Sequence, residues 1–371
     1  MIALWLACGE PAATTDGPPA EEIVAADLGT HDVSDTGWYS EPMVVSVPEG
    51  TTSTMVTCGD FGPSAVGAIY DLTTPSGTLA YQGDDPGAYG GFRSDFLDDR
   101  AVGLLPVSPR LASEAGDWTL RWFVGAGAGG SVSCEARHRV DTVSERPTLL
   151  VDLVFVGVDG LDATTAQTDA NFQTALDTFL GDWSAAGVDV AVSYVDFEGD
   201  SAAFTVIEVS DDDASELGAL FETASPFNDR VVTFFFVTDI ANTTAGGATI
   251  LGIAAGPPGA ASLSRTSKSG VAIATLDLAT APTDVGRVMA HEGGHFLGLF
   301  HTTEKDGSQT DPLDDTPECG VANDADANGV LSSAECAAHG SDNAMWWTLG
   351  SDSPAFSDDQ VWVVARNPAV D

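Results

Sequence analysis

The chain has 371 residues, enough for two domains, and 43% of them are hydrophobic, which permits sizeable cores. Asp and Glu outnumber Lys and Arg by 56 to 13, which gives a formal net charge of −43. Nucleic acids and anionic membrane surfaces are excluded as partners, because their phosphates would be repelled. No apolar stretch is long enough to span a bilayer. The acidic residues are scattered along the chain, which is typical both of adaptation to a salty medium and of an acidic secreted protein.

The first thirty residues predict an export signal and a tether. Residues 1–8 form a short apolar run that ends in Cys8 and resembles the end of a lipoprotein signal. The run is shorter than a complete signal and lacks its basic residues, so lipid attachment at Cys8 stays open while export is favoured. Residues 9–30 are rich in Ala, Pro, Thr and Gly, and this low complexity predicts a tether.

Residues 31–142 predict an all-β sandwich that serves as an accessory domain. Short β-favouring runs alternate with Gly, Pro, Asp and Ser at the spacing typical of such folds. A Cys58–Cys134 disulfide is expected to join an early strand to the last one. His31 and His138 are expected to be surface residues without a ligand role. The predicted strands are Met43–Val47, Ser53–Cys58, Gly67–Leu72, Trp118–Val124 and Ser131–Ala136.

Residues 146–371 show strands that alternate with helices, which predicts an α/β domain with a mixed, twisted sheet. Between residues 163 and 186, large apolar side chains recur at helical spacing and form a stripe that faces the core. A second helix is predicted at 214–223. Thr283 and Asp284 are expected to cap a third helix that ends near Leu297. The predicted strands are Leu149–Val156, Val188–Phe197, Val231–Val237 and Val271–Leu276.

The run from His291 to His301 reads HExxHxxGxxH and contains three of the six histidines of the chain. Residues four apart share one face of a helix, so His291 and His295 can present their imidazoles to one metal ion. Gly298 allows the backbone to leave the helix with a positive φ, which brings His301 round as a third ligand. Three neutral imidazoles and one open coordination position describe a catalytic zinc site. Glu292 is placed to hydrogen-bond the water that such an ion activates, without being a ligand itself.

This motif resembles that of the metzincin zinc metallopeptidases, and four further stretches resemble the pappalysin (cytophagalysin) branch of that family. The branch usually has Phe at the position of Thr303 and Tyr at the position of Trp347. An indole N–H can only donate, so a role of the Tyr hydroxyl in the transition state is in doubt here. The four stretches are His301-Thr302-Thr303, Asp315-Thr316-Pro317, Asn343-Ala344-Met345 and Phe356-Ser357-Asp358-Asp359-Gln360.

The resemblance implies a metzincin-like catalytic domain, with a zinc helix below a mixed sheet, that follows the sandwich and hydrolyses peptide bonds. Glu292 would act as the general base of that reaction. Met345 would belong to a methionine-containing turn and form an apolar floor beneath the metal. Val271–Leu276, the strand before the zinc helix, would be the sheet edge along which an extended substrate pairs.

A twelve-residue stretch between His301 and Met345 matches the calcium loop of EF-hands. Pro317 and Gly320 argue against the helix that normally enters such a loop. The sequence therefore predicts an isolated calcium loop with a structural role, closed by a Cys319–Cys336 disulfide; an acidic surface turn is the alternative. The predicted ligands are Asp324, Asp326, Asn328, the carbonyl of Val330, Ser332 and a bidentate Glu335.

Together these patterns predict a secreted or surface-tethered zinc endopeptidase, with Zn²⁺ and Ca²⁺ as cofactors, that acts as a monomer on proteins or peptides. The main alternative is a catalytically silent, zinc-containing adhesin that binds through the sandwich. An intact Glu292 argues against it, because a decayed site usually loses its general base first. Iron or copper redox chemistry is disfavoured by the helical spacing of the histidines and the lack of a carboxylate ligand.

Overall fold

The computed structural model describes residues 22–33, 38–59, 67–82, 100–124, 130–210, 215–224, 230–244, 249–350 and 354–371. Residues 1–8, with Cys8, and most of the predicted tether lie outside the described residues. Among the helices that are described, none combines the length and the apolar character needed to cross a bilayer.

Strands dominate the described part of the chain up to Val140. They are β1 (Glu22–Val33), β2 (Trp38–Tyr39), β3 (Met43–Val47), β4 (Thr51–Gly59), β5 (Gly67–Thr73), β6 (Leu79–Gln82), β7 (Arg100–Leu105), β8 (Gly116–Val124) and β9 (Gly130–Val140). One sheet has the order β1-β9-β4-β7, and the other has β2-β8-β5-β6 with β3 also paired to β8. All of these pairings are antiparallel. Cys58 and Cys134 face each other across β4 and β9 and form the predicted disulfide.

Two details differ from the expectations for this region. Strand β1 begins at Glu22, inside the stretch predicted as tether, because its backbone pairs with β9 along its whole length. The prediction of a surface position for His138 is wrong. Its side chain is 1% exposed, its Nδ1 lies 2.9 Å from Oγ1 of Thr54, and burial lowers its pKa. Side chains at alternate positions of β9 point to the same face of the sheet. His138 lies on the face of Val132, Cys134 and Ala136, which are all buried, and this places it in the core.

After Val140, strands alternate with helices. The strands are β10 (Thr148–Phe155), β11 (Asp189–Val195), β12 (Val206–Val209), β13 (Val232–Val237), β14 (Asp239–Asn242), β15 (Gly252–Ala254) and β16 (Val271–Ala274). The helices are α1 (Ala170–Ala185), α2 (Ser215–Phe221), α3 (Pro282–Phe296) and α4 (Asp358–Val364). The main sheet has the order β11-β10-β13-β16-β15, in which only β15 is antiparallel to its neighbour; β12 and β14 form a separate parallel pair. The predicted mixed sheet is thus present.

Strand β10 shows how this sheet is covered on both faces. Leu149, Val151, Leu153 and Phe155 alternate into the cluster that contains the buried faces of α1 and α3. Val154 and Val156 point the other way, into a second cluster with α2 and β12. Burial on both faces is what a parallel strand requires. The predicted stripe on α1 is confirmed, with Phe172, Leu176, Phe179 and Trp183 all buried.

Two helices begin elsewhere than predicted. Helix α1 starts at Ala170, not near residue 163, because the Asp162 carboxylate accepts the N–H groups of Thr164 and Thr165 and holds a turn there. Helix α3 starts at Pro282, so the expected caps lie inside it; Ala281 occupies the N-cap position without a side-chain hydrogen bond. Proline suits the first helical position, where its missing N–H costs nothing.

Candidate metal centre and cleft

Helix α3 carries His291, Glu292 and His295 on the side that faces a cleft. Its glycines allow the helix to approach its neighbours closely. A Cβ at Gly286 would lie 2.3 Å from the carbonyl oxygen of Ala175 in α1, and one at Gly294 would lie 2.5 Å from Sδ of Met345. Side chains larger than hydrogen are therefore excluded at these positions without a shift of backbone or core.

The turn after α3 brings the third histidine to the other two. Gly298 has a φ of +102°, a value that L side chains rarely adopt, and the chain reverses there as predicted. The Nε2 atoms of His295 and His301 then lie 3.1 Å apart. One nitrogen from each of His291, His295 and His301 lies within 4.8 Å of the others.

Each imidazole is oriented by an oxygen that contacts its Nδ1. The partners are the Ala344 carbonyl for His291 at 2.8 Å, the Leu299 carbonyl for His295 at 2.7 Å, and Oε2 of Glu304 for His301 at 3.0 Å. A carbonyl or carboxylate oxygen only accepts, so Nδ1 carries the proton and Nε2 keeps its lone pair. Two acceptor nitrogens 3.1 Å apart repel each other unless a cation lies between them. The donor set therefore fits a zinc ion held by three imidazoles.

The electrostatics of the centre follow from burial. The pKa of His291 is lowered to about 3, mainly by burial and then by the neighbouring His301. Its imidazole is accordingly neutral, the form that binds metals. Burial raises the pKa of Glu292 to about 8, although the backbone N–H of Ala254 donates to its carboxylate and opposes the shift. Burial thus favours the neutral form of this carboxyl group when no cation lies beside it.

The cleft beside the histidines has a volume of about 550 Å³. Strand β15 forms one wall, α3 forms the floor, and the segment Trp347–Gly350 forms another wall. Asp182 and Arg287 also line it; burial raises the pKa of Asp182 to about 6 while Arg287 opposes the shift. Oδ2 of Asp182 is buried without a hydrogen-bond partner among the described residues. Nothing in the sequence pattern around Asp182 pointed to this position.

The expected sheet edge is wrong by one strand. Strand β16, which corresponds to the predicted Val271–Leu276, is covered on both sides, by β13 and by β15. The short strand β15 (Gly252–Ala254) is the last one in the sheet and borders the cleft instead. Only three residues long and rich in small side chains, β15 gives no strand signal in the sequence.

Met345 lies fully buried against Gly294 of α3. Its N–H donates to Oδ1 of Asn343 at 2.7 Å, and its carbonyl accepts the N–H of Thr302, the residue after His301, at 3.0 Å. The preceding residue, Ala344, supplies the carbonyl that orients His291. Met345 is therefore part of the packing that surrounds the three histidines.

The other motif residues hold the loops around the centre. Asp315 accepts hydrogen bonds from Oγ of Ser357 at 2.7 Å and from the N–H of Asp359 at 2.8 Å, which fixes the start of α4. Thr303 is fully buried, and its Oγ1 accepts the N–H of Cys319. The indole N–H of Trp347 donates to the Leu331 carbonyl at 2.9 Å, so this donor is already used within the protein.

The predicted calcium loop is a compact turn closed by the Cys319–Cys336 disulfide, which is confirmed. Carboxylate oxygens of Asp324, Asp326 and Glu335 lie within 4.8 Å of one another. Gly329 has a φ of +78°, as the sharp turn requires. Hydrogen bonds from Ser332 and from the backbone of Ala325 lower the pKa of Glu335 to about 2, so this carboxylate is ionised. Between α3 and the loop, in a stretch that the structure describes throughout, the helical structure is limited to a single 3₁₀ turn at Val321–Asn323.

No protein-family model matches the chain, and no curated protein sequence matches it. Among solved structures, the chain is similar to the crystal structure of metalloproteinase-II from Bacteroides fragilis, with 12% sequence identity and a TM-score of 0.26. The match covers 47% of this chain and 56% of that chain, so the chain spans about half the length of that structure.

Proposed function

We propose that this protein is a zinc-dependent endopeptidase with Zn²⁺ held by His291, His295 and His301. The observation that carries the proposal is the convergence of three Nε2 lone pairs, with every Nδ1 bound to an oxygen, beside the buried Glu292 in an open cleft. A structural zinc site would be closed by a fourth protein ligand. The position of Met345 against Gly294 and the contacts of Asp315 support a metzincin-like domain of the pappalysin branch.

In the proposed reaction, His291, His295 and His301 would hold a zinc ion that supplies Lewis acidity for the scissile carbonyl and for a water molecule. Glu292 accepts a proton from the attacking water and passes it to the departing amine. The Ala254 N–H holds the carboxylate of Glu292 in place between these two transfers. Glu304, through Nδ1 of His301, keeps that imidazole in the tautomer that leaves Nε2 free to bind.

The substrate is proposed to be an extended protein or peptide segment. Strand β15 ends the sheet and lines the cleft, so its outer edge offers backbone groups to a peptide that lies beside Glu292. Main-chain pairing of this kind accepts many sequences, and side-chain pockets add selectivity.

The test is cleavage of a denatured protein by the wild type and by Glu292→Gln, each with and without a zinc chelator. We expect Glu292→Gln to retain zinc but to cleave about 10² to 10⁴ times more slowly, because the general base is lost. Glu198→Gln, the same change at an exposed site, should behave as the wild type. Turnover by Glu292→Gln at the wild-type rate would contradict the assignment. Zinc-loaded wild type without any cleavage would favour the adhesin alternative.

We further propose that the loop from Asp324 to Glu335 binds Ca²⁺ as a structural ion. The support is the convergence of Asp324, Asp326 and Glu335, and the hydrogen bond that joins Trp347 of the cleft to Leu331 of this loop. Asn328, the carbonyl of Val330 and Ser332 would complete an all-oxygen site. Calcium there would stiffen the cleft wall and take no part in the chemistry.

An extracytoplasmic location is proposed on the strength of the two disulfides, which persist in oxidising compartments. Lipid attachment at Cys8 and a monomeric state are proposed from the sequence alone. Mass spectrometry of the protein from its native host tests the first, and sedimentation tests the second.

A further inference from the structure

The sheet β1-β9-β4-β7 turns one face towards the part of the chain that carries the histidines. Leu104 of β7 is paired with Met55, and Arg139 of β9 is paired with Ser53; Met55 and Ser53 are alternate residues of β4. Leu104 and Arg139 therefore lie on the same face of this sheet. Both are buried, at 1% and 0% exposure.

Arg139 crosses to the segment after α4. Its Nε pairs with Oδ2 of Asp141 at 2.7 Å, and its Nη1 donates to the carbonyls of Ala365 at 2.9 Å and Asn367 at 3.1 Å. A buried guanidinium is costly unless its charge is neutralised and its donors are used. Asp141 neutralises the charge, and the two carbonyls accept the remaining hydrogen bonds. The sheet and the segment after α4 are therefore held together at a defined distance.

Asn367 continues the connection to α3. Its side chain is fully buried, and its Nδ2 donates to the carbonyl of Leu297 at 3.0 Å. Leu297 is the first residue beyond α3 and lies between His295 and Gly298. Asn367 thus links Arg139, through hydrogen bonds on both sides, to the turn that leads to His301.

Leu104 reaches the same turn by packing. A Cβ built on Gly298 would lie 2.9 Å from Cδ2 of Leu104, compared with 3.8 Å from Pro258 and 3.9 Å from Val363. Gly298 has no side chain of its own to fill this space. Leu104 fills it from the other sheet and covers the turn at the residue whose positive φ redirects the chain to His301.

We propose that Leu104 and Arg139 are positioning residues of the metal centre, through which the N-terminal sheet holds the turn Leu297–Leu299. The inference rests on zinc binding by the three histidines and extends it, because it makes the N-terminal region part of the centre instead of an independent accessory. The Leu299 carbonyl orients His295, and the path of the turn places His301. Displacement of the turn by a few tenths of an ångström changes both ligands.

The experiment uses the full chain loaded with Co²⁺, whose absorption spectrum reports ligand geometry. Leu104→Ala is compared with Leu120→Ala, the same change at a fully buried residue of β8, in the other N-terminal sheet. Both changes remove the same atoms from the N-terminal region, but only the first faces the turn. We expect Leu104→Ala to release Co²⁺ and Zn²⁺ to a chelator about tenfold faster with an altered spectrum, and Leu120→Ala to stay within about twofold of the wild type.

Two further variants keep the outcome decisive. Leu104→Val removes one methylene and should show the same effects to a smaller degree if Leu104→Ala does not fold. Arg139→Lys keeps a charge for Asp141 but loses the forked donors, and should also speed metal release. The inference would be overturned if both Leu104 variants released the metal at the wild-type rate and kept the wild-type spectrum. It would also be overturned if Leu120→Ala showed changes as large as those of Leu104→Ala. Neither outcome would contradict the proposed function. Failure of the wild type to take up Co²⁺ or Zn²⁺ would overturn the proposed function as well.

Discussion

Asn343 and Gln360 exchange two hydrogen bonds through their side-chain amides, each of 3.0 Å. Oε1 of Gln360 also accepts the N–H of Ser357, which completes a capping box at the start of α4. Oδ1 of Asn343 also accepts the N–H of Met345. The pair therefore ties the first turn of α4 to the segment whose Ala344 carbonyl orients His291.

Gln360→Glu tests this pair, because it keeps the shape of the side chain but replaces the donor Nε2 by oxygen. We expect the free energy of unfolding to fall by about 1–3 kcal/mol, since Oδ1 of Asn343 would face a buried acceptor. Urea unfolding provides the measurement. Asp358→Asn, an exposed change in the same turn, should shift stability by less than about 0.5 kcal/mol. Equal stability of Gln360→Glu and wild type would contradict the role given to the pair.

Glu304→Gln tests the carboxylate that contacts Nδ1 of His301. We expect zinc affinity to fall about 10- to 100-fold, because a carboxylate partner makes the imidazole a better ligand than an amide does. Competition with a chromophoric chelator measures the change. Asp306→Asn removes an equal charge two residues away, where the carboxylate accepts from Ser308 and not from a histidine. Similar losses in both variants would show that only the net charge matters.

Asp311 is expected to make stability depend on pH. Burial raises its pKa to about 7, helped by Asp315 and Glu318 and opposed by hydrogen bonds from Thr316 and Leu313. The folded pKa lies above the unfolded value of 3.8, so the folded state binds more protons between these two values. The free energy of unfolding should therefore fall as the pH rises from about 4 to about 7.

Asp311→Asn should remove most of this loss, which is on the order of 4 kcal/mol. The free energy of unfolding of the variant minus that of the wild type should therefore be larger at pH 8 than at pH 4. Urea unfolding of chelator-treated protein at pH 4, 6 and 8 measures the difference without a contribution from bound metal. Parallel pH profiles for the two proteins would mean that Asp311 titrates normally.

Calcium should raise the melting temperature of the wild type if the loop Asp324–Glu335 binds it. Glu335→Gln should abolish the increase, because the bidentate carboxylate is the ligand that an amide replaces least well. Glu318→Gln, next to Cys319 but outside the loop, should retain it. An increase that persists in Glu335→Gln would place the calcium elsewhere.

Local chemistry made the centre of the site predictable. The spacing of His291 and His295 on one helix, and the glycine at 298, depend on residues a few positions apart, so a short sequence window contains the information. The disulfides were predictable for a similar reason, because four of the five cysteines fall into two regions that each contain a pair.

Several contacts around the centre depend on distant residues and were not predicted. Glu304 follows His301 by three residues, an offset that could have suggested a partner, but nothing near Asn367 or Leu104 points to the turn after α3. Strand β15 is defined by its pairing with β16 and not by its own composition. His138 became a core residue because Thr54, far away in sequence, provides a polar contact.

The oxygens that orient the imidazoles, and the amide that holds the end of α3, are widely separated along the chain. Ala344 and Glu304 follow all three histidines, Leu299 lies between His295 and His301, and Asn367 follows α4. During synthesis from the N-terminus, the sheet that contains Leu104 is therefore made first. Asn367, the last of these partners, is made more than sixty residues after His301. The histidines can bind a metal ion early, but their geometry is fixed only once the residues up to Asn367 have been synthesised. The geometry proposed for metal binding therefore depends on residues that are synthesised well after the histidines themselves.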